Sequence, residues 1–314
     1  MDILMLMVIG RRMLQSLVTV FAAITLIFFL FSVMPGTFVS SLAGDKRDID
    51  PAVVERIEKE LGLKDPLLDR FGKYITGLAT GDLGKSFSTQ RPVTAMLSGR
   101  IVASFKLAVA AIFFAIIIGL PLGFLAAVRQ GTWLDTTAMI TAVSGLSLPG
   151  FWFGLLAMYF VSLKLGLLPT FGYGNGNLKN LILPALALGI APMALLARTT
   201  RAAVLETMNA DFVRTARSKG NSEFRIVTKH MARNAFVLIL TTIGLQFGSM
   251  LGGSVVIENL FAWPGIGSLL TQSVSMRDIP TVQGCILVIV LFFLVINTLV
   301  DIAYLAIDPR IRYR

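Results

Sequence analysis

The sequence predicts an all-α integral membrane protein with six transmembrane helices and a short helical segment outside the membrane between the first two. Three observations predict it. Of the 314 residues 55% are hydrophobic and only 15% are charged, whereas a soluble domain carries roughly a quarter charged residues. Six apolar runs each come near the roughly 20 residues that a helix needs to cross the hydrocarbon core. The 28 Lys and Arg residues gather between particular runs instead of spreading evenly.

The first run, Leu14–Met34, follows Arg11 and Arg12. A secretory signal shares that polarity, but its apolar region is shorter and a small-residue cleavage site follows. This run is long and ends at Met34-Pro35-Gly36, which predicts an uncleaved first span. The segment from Thr37 to Arg100 then mixes ten basic with nine acidic residues. Asp50 can cap a helix that has Pro51 at its first position, and Glu55 and Lys59 form a favourable pair. Val53, Ile57 and Leu61 line one face before Gly62 stops that helix. Asp65-Pro66 starts a second helix with Phe71, Tyr74, Ile75 and Leu78 as its apolar side. Two such helices make a small platform, or a plug packed over the spans.

The remaining runs are Ile101–Val128, Thr136–Leu163, Leu181–Ala197, Ala235–Ile257 and Val282–Ile307. The fourth span is short and holds Pro184, Gly189 and Pro192, so a kink is expected there. The chain divides into residues 1–100, the first span with its external helices, and 101–314, a five-span core interrupted by a loop at 198–234.

Orientation follows from the basic residues. Arg11, Arg12, Arg129, Arg310, Arg312, Arg314 and the eight in 198–234 share one side if the termini do. The opposite short loops hold only Lys164, Lys179 and Arg277. Positive loops stay in the cytoplasm, so both termini are predicted cytoplasmic. The net charge of +10 therefore reports topology; no nucleic-acid recognition motif accompanies it.

The loop at 198–234 carries Arg198, Arg201, Arg214, Arg217, Lys219, Arg225, Lys229 and Arg233 against Glu206, Asp211 and Glu223. Its pattern is helical. Phe212, Val213 and Ala216 fall on one face, Arg214 and Arg217 on another, and Gly220 closes the run. A short amphipathic helix in the largest cytoplasmic loop suits contact with a cytoplasmic partner.

Other motifs have plainer readings. Ala79 to Ser86 satisfies a relaxed phosphate-loop pattern, but no strand precedes it and it lies outside, so Gly81 and Gly84 read as turn residues. Gly244, Gly248 and Gly252, like Gly119/Gly123 and Gly150/Gly154, clear helix faces for close packing. Polar residues within spans mark a permeation path, which makes Gln246 and Asn297 pore candidates. Phe261, Trp263, Pro264 and Gly265 follow the fifth span; the two aromatics either anchor at the interface or are displayed to an external partner or gate. Cys285 reads as a small buried hydrophobe. His230 is the one histidine, so no multi-histidine metal site is expected. No convergent set of acids, histidines or metal ligands marks an enzyme.

Together these pieces resemble the inner-membrane permeases of ATP-binding-cassette (ABC) importers for dipeptides, oligopeptides, glutathione and nickel. The likeness is carried by "RRMLQSLVTVFAAITLIFFLFSVMPG", "LGLKDPLLDRFGKYITGLATGDLGKSFSTQRPV", "DFVRTARSKGNSEFRIVTKHMARNA", "GGSVVIENLFAWPGIG", "SMRDIPTVQ" and "IDPRIRYR". It runs across almost the whole chain and implies the type I ABC importer permease fold in a bacterial inner membrane. It also implies that residues 211–234 are a coupling loop docking into an ATPase subunit through Phe212, Thr215, Ala216, Arg217, Lys219 and Gly220. Thr215 stands where many permeases have Glu, and Phe236-Val237-Leu238 replaces a proline common after the Arg-Asn pair.

The resemblance further implies a second permease subunit, two ATPase subunits that use ATP and magnesium, and an external binding protein. This chain itself would hold no cofactor and no metal. The expected cargo is a small peptide, glutathione included, with nickel or a nickel chelate as the alternative. A different class, an ion-coupled secondary transporter, predicts uptake that survives loss of the ATPase. No pair of deep acids points to the proton relay that such a carrier uses.

Overall fold

The computed structural model describes residues 3–33, 62, 65–208, 210–222, 225–226 and 232–307. It is all-helical: five helices are long and apolar enough to cross a membrane, and a sharply bent pair brings the number to six when the pair is counted as one span. The helix expected over residues 51–61 lies outside the described residues, as do Lys229, His230 and the basic C-terminal tail.

Helix α1 (Ile3–Val33) extends well ahead of its expected start. Helix α2 (Leu67–Ala79) begins directly after Pro66, whose fixed φ suits a helix start. Its predicted apolar side is the one that packs. Phe71 and Tyr74 sit 5.2 and 5.5 Å, ring centre to ring centre, from Phe28 near the end of α1. Burial pushes the Tyr74 hydroxyl up to about 12, and that oxygen has no hydrogen-bond partner among the described residues.

A turn follows α2. Gly81 and Gly84 both take φ near +77°, and Gly84 N–H donates to Asp82 Oδ1 at 2.8 Å. The phosphate-loop look-alike is therefore a pair of left-handed turns leading into an isolated bridge between Lys85 and Pro92.

Helix α3 (Val93–Val128) and helix α6 (Leu178–Met208) form the centre. They run parallel, because Ala111 meets Gly189, Gly119 meets Met193 and Gly123 meets Ala197 in ascending order. A Cβ added to Gly119 would come 2.6 Å from the Met193 carbonyl oxygen. This contact demands glycine, as small residues let backbones approach without lipid between them. Parallel packing is what the second and fourth spans of an alternating chain require.

The fourth span departs from its expected length. Pro184 and Pro192 lie inside α6 without ending it, and the helix continues eleven residues past Ala197 to Met208. The charges of Arg198 and Arg201 had marked the end of the apolar run, but a helix needs no apolar residues once it leaves the bilayer.

The third span is not one helix. Helix α4 (Trp133–Ser147) and helix α5 (Gly150–Ala157), which continues as a π-helical stretch over Met158–Lys164, meet at 103°. Leu148 is extended at φ −84°, ψ 126°, because the ring of Pro149 excludes the helical conformation from the residue before it.

A short helix α7 (Asp211–Ser218) follows α6. Helix α8 (Ala232–Leu260), helix α9 (Ile266–Ser275) and helix α10 (Ile279–Ile307) complete the chain. The α8 glycines face α10, with Gly244 against Val300, Gly248 against Phe293 and Gly252 against Ile289. The descending order makes this pair antiparallel. Ser16 of α1 shares a 3.3 Å hydrogen bond with Thr298 of α10.

Candidate functional site

Two ends of the bundle carry built polar structure, and the basic loop lies at one of them. Helix α7 is anchored on one side only. Val213 and Ala216, at i and i+3, are buried in the same apolar cluster as Ala203 and Val204 of α6. Phe212, Arg214, Thr215, Arg217 and Lys219 are exposed, and Phe212 keeps 41% of its surface accessible. Phe212, Thr215 and Lys219, at i, i+3 and i+7, share an outward stripe.

Helix α7 stops at a Schellman motif. Gly220 takes φ +75°, its N–H donates to Arg217 O at 2.9 Å and Asn221 N–H donates to Ala216 O at 3.3 Å. Asn221 Nδ2 also donates to Ala216 O at 3.1 Å. The left-handed turn favours glycine, so Gly220 shapes the end of the helix. The expected set on this helix thus splits. Phe212, Thr215, Arg217, Lys219 and Gly220 face outward, whereas Ala216 points into the permease body, correcting the expectation that its side chain meets a partner. The helical face that buries Val213 also buries Ala216.

Arg201, on the same helix α6 that leads to α7, makes a two-pronged ion pair with Asp135 of α4, Nε to Oδ1 at 2.6 Å and Nη2 to Oδ2 at 2.8 Å. Gly131 N–H adds a third bond to Asp135 at 3.1 Å. The sequence reading counted Arg201 only as a loop charge and missed Asp135. Their separation of 66 positions leaves no local periodicity to find.

At the opposite end, the segment after α8 turns inward. Phe261 and Trp263 are each only 1% exposed. Trp263 Nε1 donates to Ala103 O at 2.9 Å, and its ring meets Tyr173 edge-on at 4.8 Å. Both readings of these aromatics, interface anchors or displayed contacts, are therefore corrected: the rings fill the core. Gly265 is buried against the Glu258 carboxylate and Pro264 is half-buried. Glu258 itself is fully buried and accepts from Ser104 Oγ at 2.6 Å, Ser254 Oγ at 2.9 Å and Ser268 N–H at 3.0 Å.

The two pore candidates lie on neighbouring helices, Gln246 on α8 and Asn297 on α10. Gln246 is half-buried and borders a hollow of about 330 Å³ with Gly150, Pro192, Ser249 and Gly253. Gly150 and Phe151, just past the break at Pro149, also line it. Asn297 is half-buried on α10 between Ile296, which packs on Gly248, and Thr298, which bonds to Ser16.

The model of the family described as "Binding-protein-dependent transport system inner membrane component" matches residues 119–313, and the corresponding N-terminal model matches residues 5–108. The chain belongs to this family. It is a permease of a binding-protein-dependent ABC importer, an inner-membrane, multi-pass and non-catalytic component. The permease is 42% identical over 304 residues to a glutathione transport system permease protein GsiC of Pectobacterium atrosepticum, covering 97% of this chain and 98% of that one. It is 41% identical over 310 residues to the GsiC of Escherichia coli K12, covering 99% and 100%. Its fold matches the permease chain in inward-facing structures of the MetNI methionine ABC transporter. The TM-scores are 0.57 and 0.58 at 18% and 19% identity, over 68% of this chain and 96% of that one. The expected six-span importer fold is thus the observed one.

Proposed function

We propose that this permease forms half of the translocation pathway for small peptides, glutathione foremost, in a bacterial inner membrane. A second homologous permease forms the other half, two ATPase subunits spend ATP with magnesium beneath them, and an external binding protein delivers the cargo. Both termini and helix α7 face the cytoplasm, with residues 101–314 the conducting core and 1–100 an N-terminal span and external segment. One observation carries this reading: Val213 and Ala216 bury one face of α7 in the apolar cluster of the permease body while Phe212, Thr215 and Lys219 remain open. A helix held on one side and open on the other can transmit movement of a docked subunit to a span.

Glutathione is favoured over nickel by the printed function of the relatives at 41–42% identity. The test is uptake by the complete transporter in proteoliposomes, with labelled glutathione and with nickel as parallel cargoes. Uptake of glutathione that requires binding protein and ATP is expected. Uptake driven by an ion gradient without the ATPases would overturn the reading, and uptake of nickel alone would replace the cargo.

A further inference from the structure

Arg100 sits one helical turn from Ser104 on α3, beside the buried Glu258 cluster, and two open cavities share it. One, of about 550 Å³, is bordered by Arg100, Asn259, Trp263, Pro264, Thr271 and Gln272 among others. The second, of about 700 Å³, is bordered by Arg91, Ser98, Arg100, Tyr173 and Pro264 among others. Arg100 and Pro264 form the divide between them.

The guanidinium is under-used. Arg100 Nη1 donates to Ser268 Oγ at 3.2 Å, and among the described residues no carboxylate ion-pairs with it. Arginine offers five donors in a planar fork, and Arg100 borders both cavities. Glu258 is the nearest acid in the lining, but its oxygens are already taken by Ser104, Ser254 and Ser268. Three hydrogen bonds hold that carboxylate in place, and it does not turn outward to neutralise Arg100. The larger cavity has Arg91 as its second charge and no acid.

We infer that Arg100 is a cargo-reading residue, whose guanidinium takes a carboxylate of the peptide as it enters the permease from the end that carries α9. This deepens the peptide reading and rests on it. Planar two-point pairing with a carboxylate is the geometry arginine supplies and lysine does not. Arg91 adds positive potential along the approach, which speeds arrival of an anion. Trp263, buried beneath the divide, fixes the floor through its bond to Ala103.

The experiment uses the complete transporter in proteoliposomes with saturating glutathione-loaded binding protein. It compares wild type, Arg100→Gln and Arg100→Lys by initial uptake and by ATP hydrolysis stimulated by the binding protein. Wild-type uptake tests the peptide reading by itself. Given that uptake, Arg100→Gln is expected to slow glutathione entry about tenfold or more, the loss typical of a charged hydrogen bond. Stimulated hydrolysis should stay within about twofold and Arg100→Lys should restore part of the uptake, since the charge remains. Glutathione monoethyl ester, with one carboxylate masked, should enter wild type more slowly than glutathione, and Arg100→Gln should narrow that difference. Unchanged glutathione uptake in Arg100→Gln overturns the inference. So does a parallel fall in stimulated hydrolysis and in uptake of both cargoes, which assigns Arg100 to docking of the binding protein.

Discussion

The carboxylate of Asp278 accepts the hydroxyl of Ser86 at 2.6 Å, joining positions 192 apart in the chain. The same carboxylate accepts from Phe87 N–H at 2.9 Å, Ser88 Oγ at 3.0 Å and Thr281 Oγ1 at 2.9 Å. It therefore pins the turn between α2 and α3 to the start of α10. Asp278 and Ser86 are both nearly inaccessible, so water cannot replace the acceptor.

Asp278→Ala should strand several buried donors, each costing about 1–3 kcal/mol. The expected result is a lower unfolding temperature in detergent and faster proteolytic nicking between α2 and α3. Asp278→Asn keeps one acceptor oxygen and should lose less. An unchanged melting temperature in Asp278→Ala would show that the turn holds without its anchor.

Trp263→Ala should destabilise the permease by about 3–5 kcal/mol, the usual loss for a large core aromatic. Its yield in membranes should fall whether or not the binding protein is present. Trp263→Phe keeps most of the apolar volume and loses the bond to Ala103, about 1 kcal/mol. Full yield of Trp263→Ala with a defect confined to binding-protein-driven uptake would restore the displayed-aromatic reading.

The ion pair of Asp135 and Arg201 ties the base of the broken third span to the extension of α6 that leads to α7. Removing either partner leaves a charge unmatched, so Asp135→Asn and Arg201→Gln should each lower thermal stability. Asp135 is the more buried partner, and removing Arg201 should therefore be the worse of the two. The exchanged pair, Asp135→Arg with Arg201→Asp, should recover part of the loss. No recovery would mean that the bond from Gly131 N–H, rather than the charge pair, sets the geometry.

Much of this molecule was legible because its signals are local. Hydropathy located the spans, the i, i+3, i+4 pattern of Phe71, Tyr74, Ile75 and Leu78 gave the packed side of α2, and Gly220 marked the end of α7. The break at Leu148-Pro149 also has a local signal, since a proline after Leu148 argues against helix there, but the unbroken apolar run across it masks that signal. The Asp278, Glu258 and Asp135 clusters had none. Each joins residues from separate elements, and nothing in the spacing along the chain says which spans will meet. The inward turn of Phe261 and Trp263 was hidden for the same reason: an aromatic beside Pro-Gly looks alike on a surface and in a core until Ala103 and Tyr173 are placed.

The proposed docking role puts the buried and the partner-facing sides of α7 within eight residues, so substitutions on its two faces should fail differently. Phe212→Asp and Thr215→Lys alter only exposed positions. Each should leave yield and melting temperature near wild type while reducing co-purification of the ATPase subunits and uptake. Ala216→Asp places a carboxylate in the cluster with Ala203 and Val204, where an unpaired charge is strongly disfavoured. It should lower the stability of the permease alone, in the absence of any ATPase. Gly220→Val forces a branched side chain to φ +75°, at a strain of about 1–2 kcal/mol. Among the described residues no atom stands within 4 Å of a Cβ there, so the effect should be local: an altered end to α7, a stable permease and ATP hydrolysis less tightly tied to uptake. Melting of the purified permease, measured beside ATPase co-purification, separates the two faces. If Phe212→Asp destabilises the isolated chain as much as Ala216→Asp, the outward stripe is part of the core and the docking role fails.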